Sequence, residues 1–352
     1  MITGATRVLA VIGDPVAHSL SPVFQNAALQ AMGLGWVYVP FQVQPDCLAQ
    51  AVVGLGSLGV IGCNVTIPHK EAVAGLVDEI DPFAAWIGAV NTLMWDRASG
   101  RGRLRGFNTD GPGFLAALRE ETGYEPAGGR AVLLGAGGAA RAIAGQLVLA
   151  GVQSLTIVNR TLPRARALVE WLRQPLPPNL QQSSGCGDRL PAPTPSGHLA
   201  AGVGSERPNS SSSSGPVHLE ALPWPEQSPP DSAGASAWAA LQQALAEADL
   251  LVQATAYGMI PHTQPCPPLP AAWLHPGLTV YDIVYRPAAT ALVAAARRIP
   301  GVKVANGEGM LIHQGALSLR LWSGREPPIA VMRQALRQAL AKQEQEDVAC
   351  RR

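Results

Sequence analysis

The feature that most constrains the fold of this chain is an alternation of two kinds of segment. Short β-branched or leucine-rich runs alternate with alanine-rich stretches, beginning with RVLAVIG, SPVFQNAALQAMG, WVYVPFQV and VIGCNVTI. A second series runs from AVLLGAGG through SLTIVNR and ADLLVQAT to LTVYDIV. Strands that alternate with helices favour largely parallel sheets covered by helices. Since the chain has 352 residues, the two series predict two α/β domains, the first with a mostly parallel sheet.

Charge and cysteine content narrow the class of partner. The chain has 26 Lys and Arg against 25 Asp and Glu, so a nucleic-acid or membrane surface is not expected and a small ligand fits better. The five cysteines are scattered, without the close pairs typical of zinc or redox sites. The apolar run VLAVIG is too short for a signal peptide, and no apolar stretch is long enough to span a bilayer. We expect a cytoplasmic monomer or homodimer without a metal.

Residues 177–236 are dominated by Pro, Ser and Gly and include NSSSSSGP. Too few apolar side chains recur there to offset the entropy of ordering the segment, so we expect a disordered insertion within the second domain. The helical segments GMLIHQGALSLRLW and PPIAVMRQALRQALAKQ at the end of the chain are expected to return to the first domain. The predicted domains are therefore 1–112 with 308–345, and 113–307.

A predicted strand at 131–134 runs directly into a glycine-rich turn and a helix. This junction consists of Gly135, Ala136, Gly137, Gly138 and Ala139. Glycines there let the backbone approach a pyrophosphate, and the start of the helix supplies unpaired N–H groups and a positive dipole. The junction predicts a dinucleotide site.

The next predicted strand, SLTIV, ends in Asn159, Arg160 and Thr161, and Arg164 follows one helical turn later. Enzymes that use NAD usually carry an acidic residue at this strand end, whereas an arginine accommodates the 2′-phosphate of NADP. We therefore expect NADP as the cofactor.

The run NVTIPHK places a threonine, a histidine and a lysine around a proline. Because Pro68 cannot donate a hydrogen bond to a sheet, the strand is expected to stop near it and to deliver Lys70 to a cleft. A surface lysine that opens the helix KEAVAGLVDEI is the alternative. His69 is interpreted as a packing or supporting residue.

Eight motifs occur in one order: SLSP, NVTIPHK, GAVNT, FNTDG, GAGGAAR, NRT, YDIVYRP and NGEGMLIHQGA. Together they resemble the shikimate dehydrogenase family over roughly residues 7–175 and 238–325. The resemblance implies an N-terminal shikimate-binding domain, a Rossmann-type NADP-binding domain and an active site in the cleft between them. It also implies reversible, NADPH-dependent reduction of 3-dehydroshikimate to shikimate in the biosynthesis of chorismate and the aromatic amino acids.

The resemblance implies roles for individual positions. Lys70 and Asp110 match the catalytic pair, and Ile283 and Gly307 match cofactor positions. The positions that match substrate-binding side chains are Ser19, Ser21, Thr66, Asn91, Tyr285 and Gln314. Structural alternatives remain for several of these: a helix N-cap for Ser21, a turn or cap for Asp110, core packing for Tyr285, and a satisfied buried polar group for each of Thr66, Asn91 and Gln314.

One segment departs from the family pattern, since QATAYGM stands at 253–259 where the family commonly has NATSxGM. Two other functions also remain open. One is a quinate/shikimate dehydrogenase of broader substrate or cofactor use, because pocket differences between such relatives are small. The other is a non-catalytic NADP-binding regulator on the same fold. Retention of both Lys70 and Asp110 argues against the regulator, because ketone reduction needs a proton donor and a sensor does not.

Overall fold

The computed structural model describes residues 2–96, 102–181, 216–225, 232–260 and 269–350. The elements of the N-terminal domain are β1 (Arg7–Gly13), α1 (Ser21–Ala31), β2 (Trp36–Gln42), α2 (Leu48–Ser57), β3 (Gly62–Val65), β4 (Glu79–Ile80), α3 (Pro82–Ile87), β5 (Thr92–Asp96) and β6 (Arg103–Phe107). The chain continues through α4 (Asp110–Thr122), β7 (Arg130–Leu134), α5 (Gly138–Leu149), β8 (Ser154–Asn159), α6 (Leu162–Leu172), α7 (Pro178–Gln181), β9 (His218–Pro223), α8 (Ser232–Ala246), β10 (Leu250–Gln253), β11 (Thr279–Asp282), α9 (Ala291–Ala296) and β12 (Lys303–Ala305). It ends with α10 (Gly307–Ser323) and α11 (Ile329–Cys350), and 3-10 turns cover Pro45–Cys47, Ala72–Leu76 and Ala271–Trp273.

The first sheet has the strand order β2-β1-β3-β5-β6-β4. The pairs β1–β2, β1–β3 and β4–β6 are parallel, whereas β3–β5 and β5–β6 are antiparallel. Only six residues separate β5 from β6, which is too short a connection for a parallel crossover. The prediction of a mostly parallel sheet is confirmed, except that β5 runs antiparallel to both of its neighbours.

Strand β1 is buried on both faces, which explains why it reads as a continuous apolar run. Leu9 and Val11 join a core cluster with Phe24 of α1 and Leu319 of α10. The opposite face, which includes Ile12, packs against α2. The first sheet is therefore covered by helices on both sides.

The second sheet has the order β12-β11-β10-β7-β8-β9, and all its pairings are parallel. Numbered from β7, this is the 3-2-1-4-5-6 order of a dinucleotide-binding fold, with its switch point between β7 and β10. Leu133 packs with Ile143 of α5 on one face of the sheet, and Leu134 packs with Leu241 of α8 on the other. The predicted Rossmann-type domain is confirmed.

Strand β9 corrects the predicted insertion, because His218–Pro223 pairs in parallel with Ser154–Asn159. Leu219 and Leu222 contribute to the cores on the two sides of the sheet. The prediction of disorder is wrong for this stretch, and also for α7 and the start of α8, which lie within 177–236 as well. This edge strand pairs its backbone with β8 on one side and buries only Leu219 and Leu222, so it needs few apolar residues. The rest of the predicted insertion, 182–215 and 226–231, lies outside the described residues.

The last two helices pack against the first sheet. Ile312 and Ala316 of α10 and Met332 and Leu336 of α11 belong to the same core cluster as Leu9. The predicted boundaries fall inside helices, between residues 112 and 113 of α4 and at the first residue of α10, and they stay a prediction. Among the helices in the described ranges, none combines the length and apolarity needed to cross a membrane.

Candidate active site

Lys70 lies in the turn that follows β3. The strand ends at Val65, the N–H of Thr66 donates to the carbonyl of Ile12, and the N–H of His69 donates to the carbonyl of Thr66. The chain therefore turns at Pro68, as the proline predicts, and does not continue as a strand or as a regular α-helix. His69 is 1% exposed and its Nε2 lies 2.7 Å from the carbonyl of Val43, so it packs and anchors this turn.

Lys70 meets Asp110 in an ion pair, with 2.5 Å between Nζ and Oδ2. The side chains are 15% and 6% exposed, so solvent screens the pair weakly. Asp110 is the first residue of α4, yet its carboxylate makes no cap. The side chain of Asn108 accepts from the N–H groups of Asp110 and Gly111 instead. The alternative of a plain helix cap is therefore wrong for Asp110.

The pair lies beside the glycine junction. A Cβ atom placed on Gly138 would lie 3.4 Å from Cδ of Lys70. A Cβ on Gly137 would meet no other residue within 4 Å, which leaves the open surface that a pyrophosphate needs. Gly135 has a different task, because its φ is +118° and a Cβ there would lie 2.8 Å from the carbonyl oxygen of Ala254. Ala136 is buried and Ala139 is half-buried in the same junction.

The end of β8 borders this junction, since the N–H of Gly135 donates to the carbonyl of Val158. Asn159 uses its side-chain amide to bind the carbonyl of Thr161, 3.0 Å away. Arg160, Thr161 and Arg164 are exposed, and within the described part of the chain neither arginine has a carboxylate partner. These two guanidinium groups fit the phosphate of an NADP, because no internal ion pair has to break first.

The serines of SLSP lie at the start of α1. The helix begins at Ser21 and its cap position is Leu20, without a side-chain cap hydrogen bond. The N-cap alternative is therefore wrong for Ser21, whose N–H donates to the hydroxyl of Ser19 at 3.3 Å. Both hydroxyl groups are half-buried.

Asn91, which is 2% exposed, donates from Nδ2 to Oδ1 of Asp110 at 2.8 Å. Gln314 reaches the same region because α10 crosses α4 at Gly113. A Cβ on Gly113 would lie 2.6 Å from the backbone nitrogen of Gln314, so only glycine permits this contact. The half-buried Gln314 side chain donates to the carbonyl of Leu311 at 2.7 Å.

Three further predicted positions lie at or just beyond the end of β11 and at the start of α10. Tyr285 packs against the core cluster of the N-terminal domain, and burial raises the pKa of its phenol. The N–H of Ile283 donates to the carbonyl of Gln253 at 2.9 Å. A Cβ on Gly307 would collide with the carbonyl of Ile283, so this glycine is required for packing as well as matching a cofactor position.

The structure accounts for the unusual QATAYGM segment. Gln253 is fully buried, and its Nε2 donates to the carbonyls of Thr255 and Tyr257 at 3.2 and 3.1 Å. Its Oε1 accepts from the N–H and the hydroxyl of Thr255, both at 2.8 Å. The departure from the family pattern therefore leaves an ordered loop, held by a longer amide. The sequence signal for this role is the glutamine itself. From the sequence alone, however, the glutamine shows only that the asparagine of the family pattern is missing.

Sequence reasoning also missed Tyr38, Thr92 and Ser318, which are buried beneath the ion pair. Thr92 follows Asn91 in the motif GAVNT, so its position was visible but its role was not. Among the described residues, no group of three or more His, Cys, Asp or Glu side chains is arranged to hold a metal ion.

A doubly wound domain with an open glycine junction faces a second α/β domain that contributes a lysine and an aspartate to the cleft. This combination defines a dinucleotide-dependent oxidoreductase that works between its two domains. Residues 11–93 match the shikimate dehydrogenase substrate binding domain, residues 118–181 match shikimate / quinate 5-dehydrogenase, and residues 307–337 match the shikimate 5′-dehydrogenase C-terminal domain. The chain belongs to the shikimate dehydrogenase family.

Individual relatives agree with this assignment. The shikimate dehydrogenase (NADP(+)) of Moorella thermoacetica is 43% identical over 340 residues, which cover 96% of this chain and 95% of the relative. The shikimate 5-dehydrogenase of Thermus thermophilus, solved with NADP(H) and shikimate, is 33% identical with a TM-score of 0.69, covering 95% of this chain and 100% of that one. The quinate dehydrogenase of Corynebacterium glutamicum, solved with NAD, is 27% identical with a TM-score of 0.72, covering 95% and 99%.

Proposed function

We propose that this protein is a shikimate dehydrogenase that catalyses the reversible, NADPH-dependent reduction of 3-dehydroshikimate to shikimate. The observation that carries the proposal is the 2.5 Å ion pair of Lys70 and Asp110, which lies beside the glycine junction. In this position the pair can exchange a proton with a substrate that is held against a bound nicotinamide. A non-catalytic regulator has no use for such a pair.

Lys70 and Asp110 handle the proton of the reaction. In the reducing direction, the ammonium of Lys70 donates a hydrogen bond to the ketone oxygen and stabilises the negative charge that grows there, then gives up a proton. In the oxidising direction, the pair accepts the proton of the substrate hydroxyl. Because Oδ1 of Asp110 is held by Asn91, Oδ2 stays directed at Lys70, so the lysine is oriented by a fixed partner.

When bound, NADPH would supply the hydride for reduction, and NADP⁺ would accept it in the reverse direction. We propose that Gly135, Ala136, Gly137, Gly138 and Ala139 form its pyrophosphate site, with Ile283 and Gly307 at the nicotinamide side. Asn159, Arg160, Thr161 and Arg164 then hold the adenosine ribose and its 2′-phosphate. The exposed, carboxylate-free arginines support this assignment.

The substrate lies on the N-terminal side of the cleft in this proposal. Ser19 and Ser21 hold the carboxylate of shikimate together with Tyr285, and Thr66, Asn91 and Gln314 bind its ring hydroxyls and carboxylate. We propose the domain boundaries given above, and a cytoplasmic monomer or homodimer that uses neither nucleic acid nor a membrane. The scattered cysteines support the cytoplasmic location, and the near-zero net charge supports the statement about nucleic acid and membranes.

The experiment measures nicotinamide absorbance with shikimate, with quinate and without substrate, each with NADP and with NAD. We expect reduction of NADP that requires shikimate and proceeds at a much lower kcat/KM with quinate or NAD. Equal rates with both substrates would identify the quinate/shikimate alternative. Binding of NADP without turnover of either substrate would identify the regulator.

A further inference from the structure

A chain of buried hydrogen bonds leads from β2 to the carboxylate of Asp110. The phenol of Tyr38 lies 2.8 Å from Oδ1 of Asn64, and Nδ2 of Asn64 lies 3.2 Å from the hydroxyl of Thr92. That hydroxyl lies 2.9 Å from Oδ1 of Asn91, whose Nδ2 lies 2.8 Å from Oδ1 of Asp110. All five side chains are less than 9% exposed.

The direction of each bond follows from the neighbouring backbone. The N–H of Thr109 donates to Oδ1 of Asn91 at 2.8 Å, which fixes Nδ2 of Asn91 toward Asp110. Nδ2 of Asn64 is likewise fixed by the carbonyl oxygen of Asn91, 3.2 Å away. Nδ2 of Asn64 carries two protons for three acceptors, the carbonyl of Asn91 and the hydroxyls of Thr92 and Ser318, so its bond to Thr92 is a shared one. The hydroxyl of Thr92 donates to Oδ1 of Asn91, and the phenol of Tyr38 has to donate to Oδ1 of Asn64. Every donor thus points toward the carboxylate.

Ser318 closes this network on the side of α10. Its hydroxyl donates to the carbonyl of Gln314 at 3.0 Å and accepts from Nδ2 of Asn64 at 2.9 Å. It also lies 2.9 Å from the hydroxyl of Thr92 and 3.1 Å from that of Thr109. The helix that carries Gln314 is therefore tied to the same buried groups that orient Asp110.

We propose that Thr92 and Tyr38 are positioning residues, which act through Asn64 and Asn91 to hold the carboxylate of Asp110 in its orientation toward Lys70. Aligned donors in a low-dielectric interior polarise one another, so each link strengthens the next. A hydrogen bond to the charged form of a carboxylate favours that form. The inference rests on the proposed function only in its kinetic test.

Few charged groups compete with this effect. Among the described residues, Lys70 is the charged group in contact with Asp110, from the turn after β3. The other groups around the carboxylate, Asn91 on β5 and Asn108 and Thr109 before α4, are neutral. The titratable groups at the far end are Tyr38 and the buried thiol of Cys63. Burial raises the pKa of the Cys63 thiol, and it raises the pKa of the Tyr38 phenol well above its ordinary value. Tyr38 therefore acts as a neutral donor throughout the assay range.

The kinetic test compares pH profiles of kcat/KM for shikimate oxidation between about pH 5 and pH 9. Thr92→Val removes the donor hydroxyl at nearly constant volume, and we expect the acidic limb to move up by about 0.5–1 pH unit. Tyr38→Phe should move the acidic limb in the same direction by less, because three further hydrogen bonds separate Asn64, the partner of Tyr38, from Asp110. Thr92→Ser keeps the hydroxyl and should restore the wild-type limb. Thr279→Val, a buried strand threonine of the other sheet that is 2% exposed, is the matched control and should leave the limb unchanged.

A second measurement is independent of turnover. The carboxyl carbon of Asp110, labelled with carbon-13 and assigned by its loss in Asp110→Asn, is titrated by NMR in each variant. We expect the midpoint to move up in Thr92→Val and Tyr38→Phe, even if the wild type proves inactive on shikimate. An inactive wild type whose variants still show the moved midpoint would refute the proposed function and support the network.

The inference is overturned if Thr92→Val lowers kcat equally at every pH and leaves the midpoint of Asp110 unchanged. It is also overturned if Thr92→Ser is as impaired as Thr92→Val, because packing would then be the cause. Should Thr92→Val fail to fold, Tyr38→Phe decides, since it removes one hydroxyl oxygen and leaves the ring in place.

Discussion

Replacing Gln253 by alanine tests whether the loop after β10 depends on a single side chain. The amide of Gln253 makes four hydrogen bonds, and all of them go to residues 255 and 257 of its own loop. At about 0.5–1.5 kcal/mol for each net hydrogen bond, their loss is worth roughly 2–6 kcal/mol. The freed groups are only partly buried and can bind water, so we expect a loss of about 2–4 kcal/mol in the free energy of unfolding.

The assay is urea unfolding, in which Gln253→Ala should lower the midpoint without changing the slope. The loop also touches the glycine junction, because the carbonyl of Ala254 lies where a side chain on Gly135 would be. The KM for NADP should therefore rise, while the KM for shikimate changes less.

Gln243 provides a matched control, since its single 3.4 Å hydrogen bond to Glu247 is on the surface of α8. Gln243→Ala should change stability by less than about 0.5 kcal/mol. The double variant Gln253→Asn with Ala256→Ser recreates the family segment NATS and should keep most of the stability. If Gln253→Ala costs no more than Gln243→Ala, other contacts hold the loop and our account of this segment is wrong.

Three further predictions follow from single side chains. Lys70→Ala should lower turnover by orders of magnitude with little change in substrate affinity, because its effect lies mainly in the transition state; near-normal turnover would exclude the proposed role. Arg160→Ala should weaken NADP binding about ten- to a hundredfold, as expected for one lost contact with a phosphate, and leave NAD binding unchanged; equal weakening of both would make Arg160 structural. Burial raises the pKa of Asp282 to about 6. The free energy of unfolding should therefore be highest below about pH 4 and should fall by about 3 kcal/mol as the pH rises through 6. Urea unfolding against pH should show this fall in the wild type and not in Asp282→Asn.

The sequence predicted those parts of the fold whose signals are local. The apolar runs of β1 and β7 are buried on both faces, so they are continuous and easy to recognise. The turn at Pro68 follows from the chemistry of one residue. Strand β9 could not be found this way, because its stability comes from pairing with β8, which lies about 60 residues earlier. Its sequence, HLEALP, is short and lies within a segment dominated by Pro, Ser and Gly.

The site shows the same division. The resemblance singled out Lys70 and Asp110, and the structure brings them together. The buried network beneath them could not be predicted, because Asn64 and Ser318 are 254 residues apart and neither residue type is diagnostic alone. Gln253 shows the opposite error, in which a departure from a family pattern looks like a loss. The glutamine side chain holds this loop with four hydrogen bonds, and only the geometry reveals this.

The two helices that connect the domains meet at the reacting pair. Helix α4 starts at Asp110, whose carboxylate is bonded to two N-terminal residues, whereas Phe114 and Leu118 farther along α4 belong to the core of the other domain. Helix α10 is shared in the reverse order, with Met310 in the second core and Ile312 in the first. The two helices touch backbone to backbone at Gly113. The lysine, the aspartate and the network beneath them all lie on the N-terminal side of that point. The geometry of the pair is therefore set by contacts with residues of the N-terminal domain, Lys70 and Asn91.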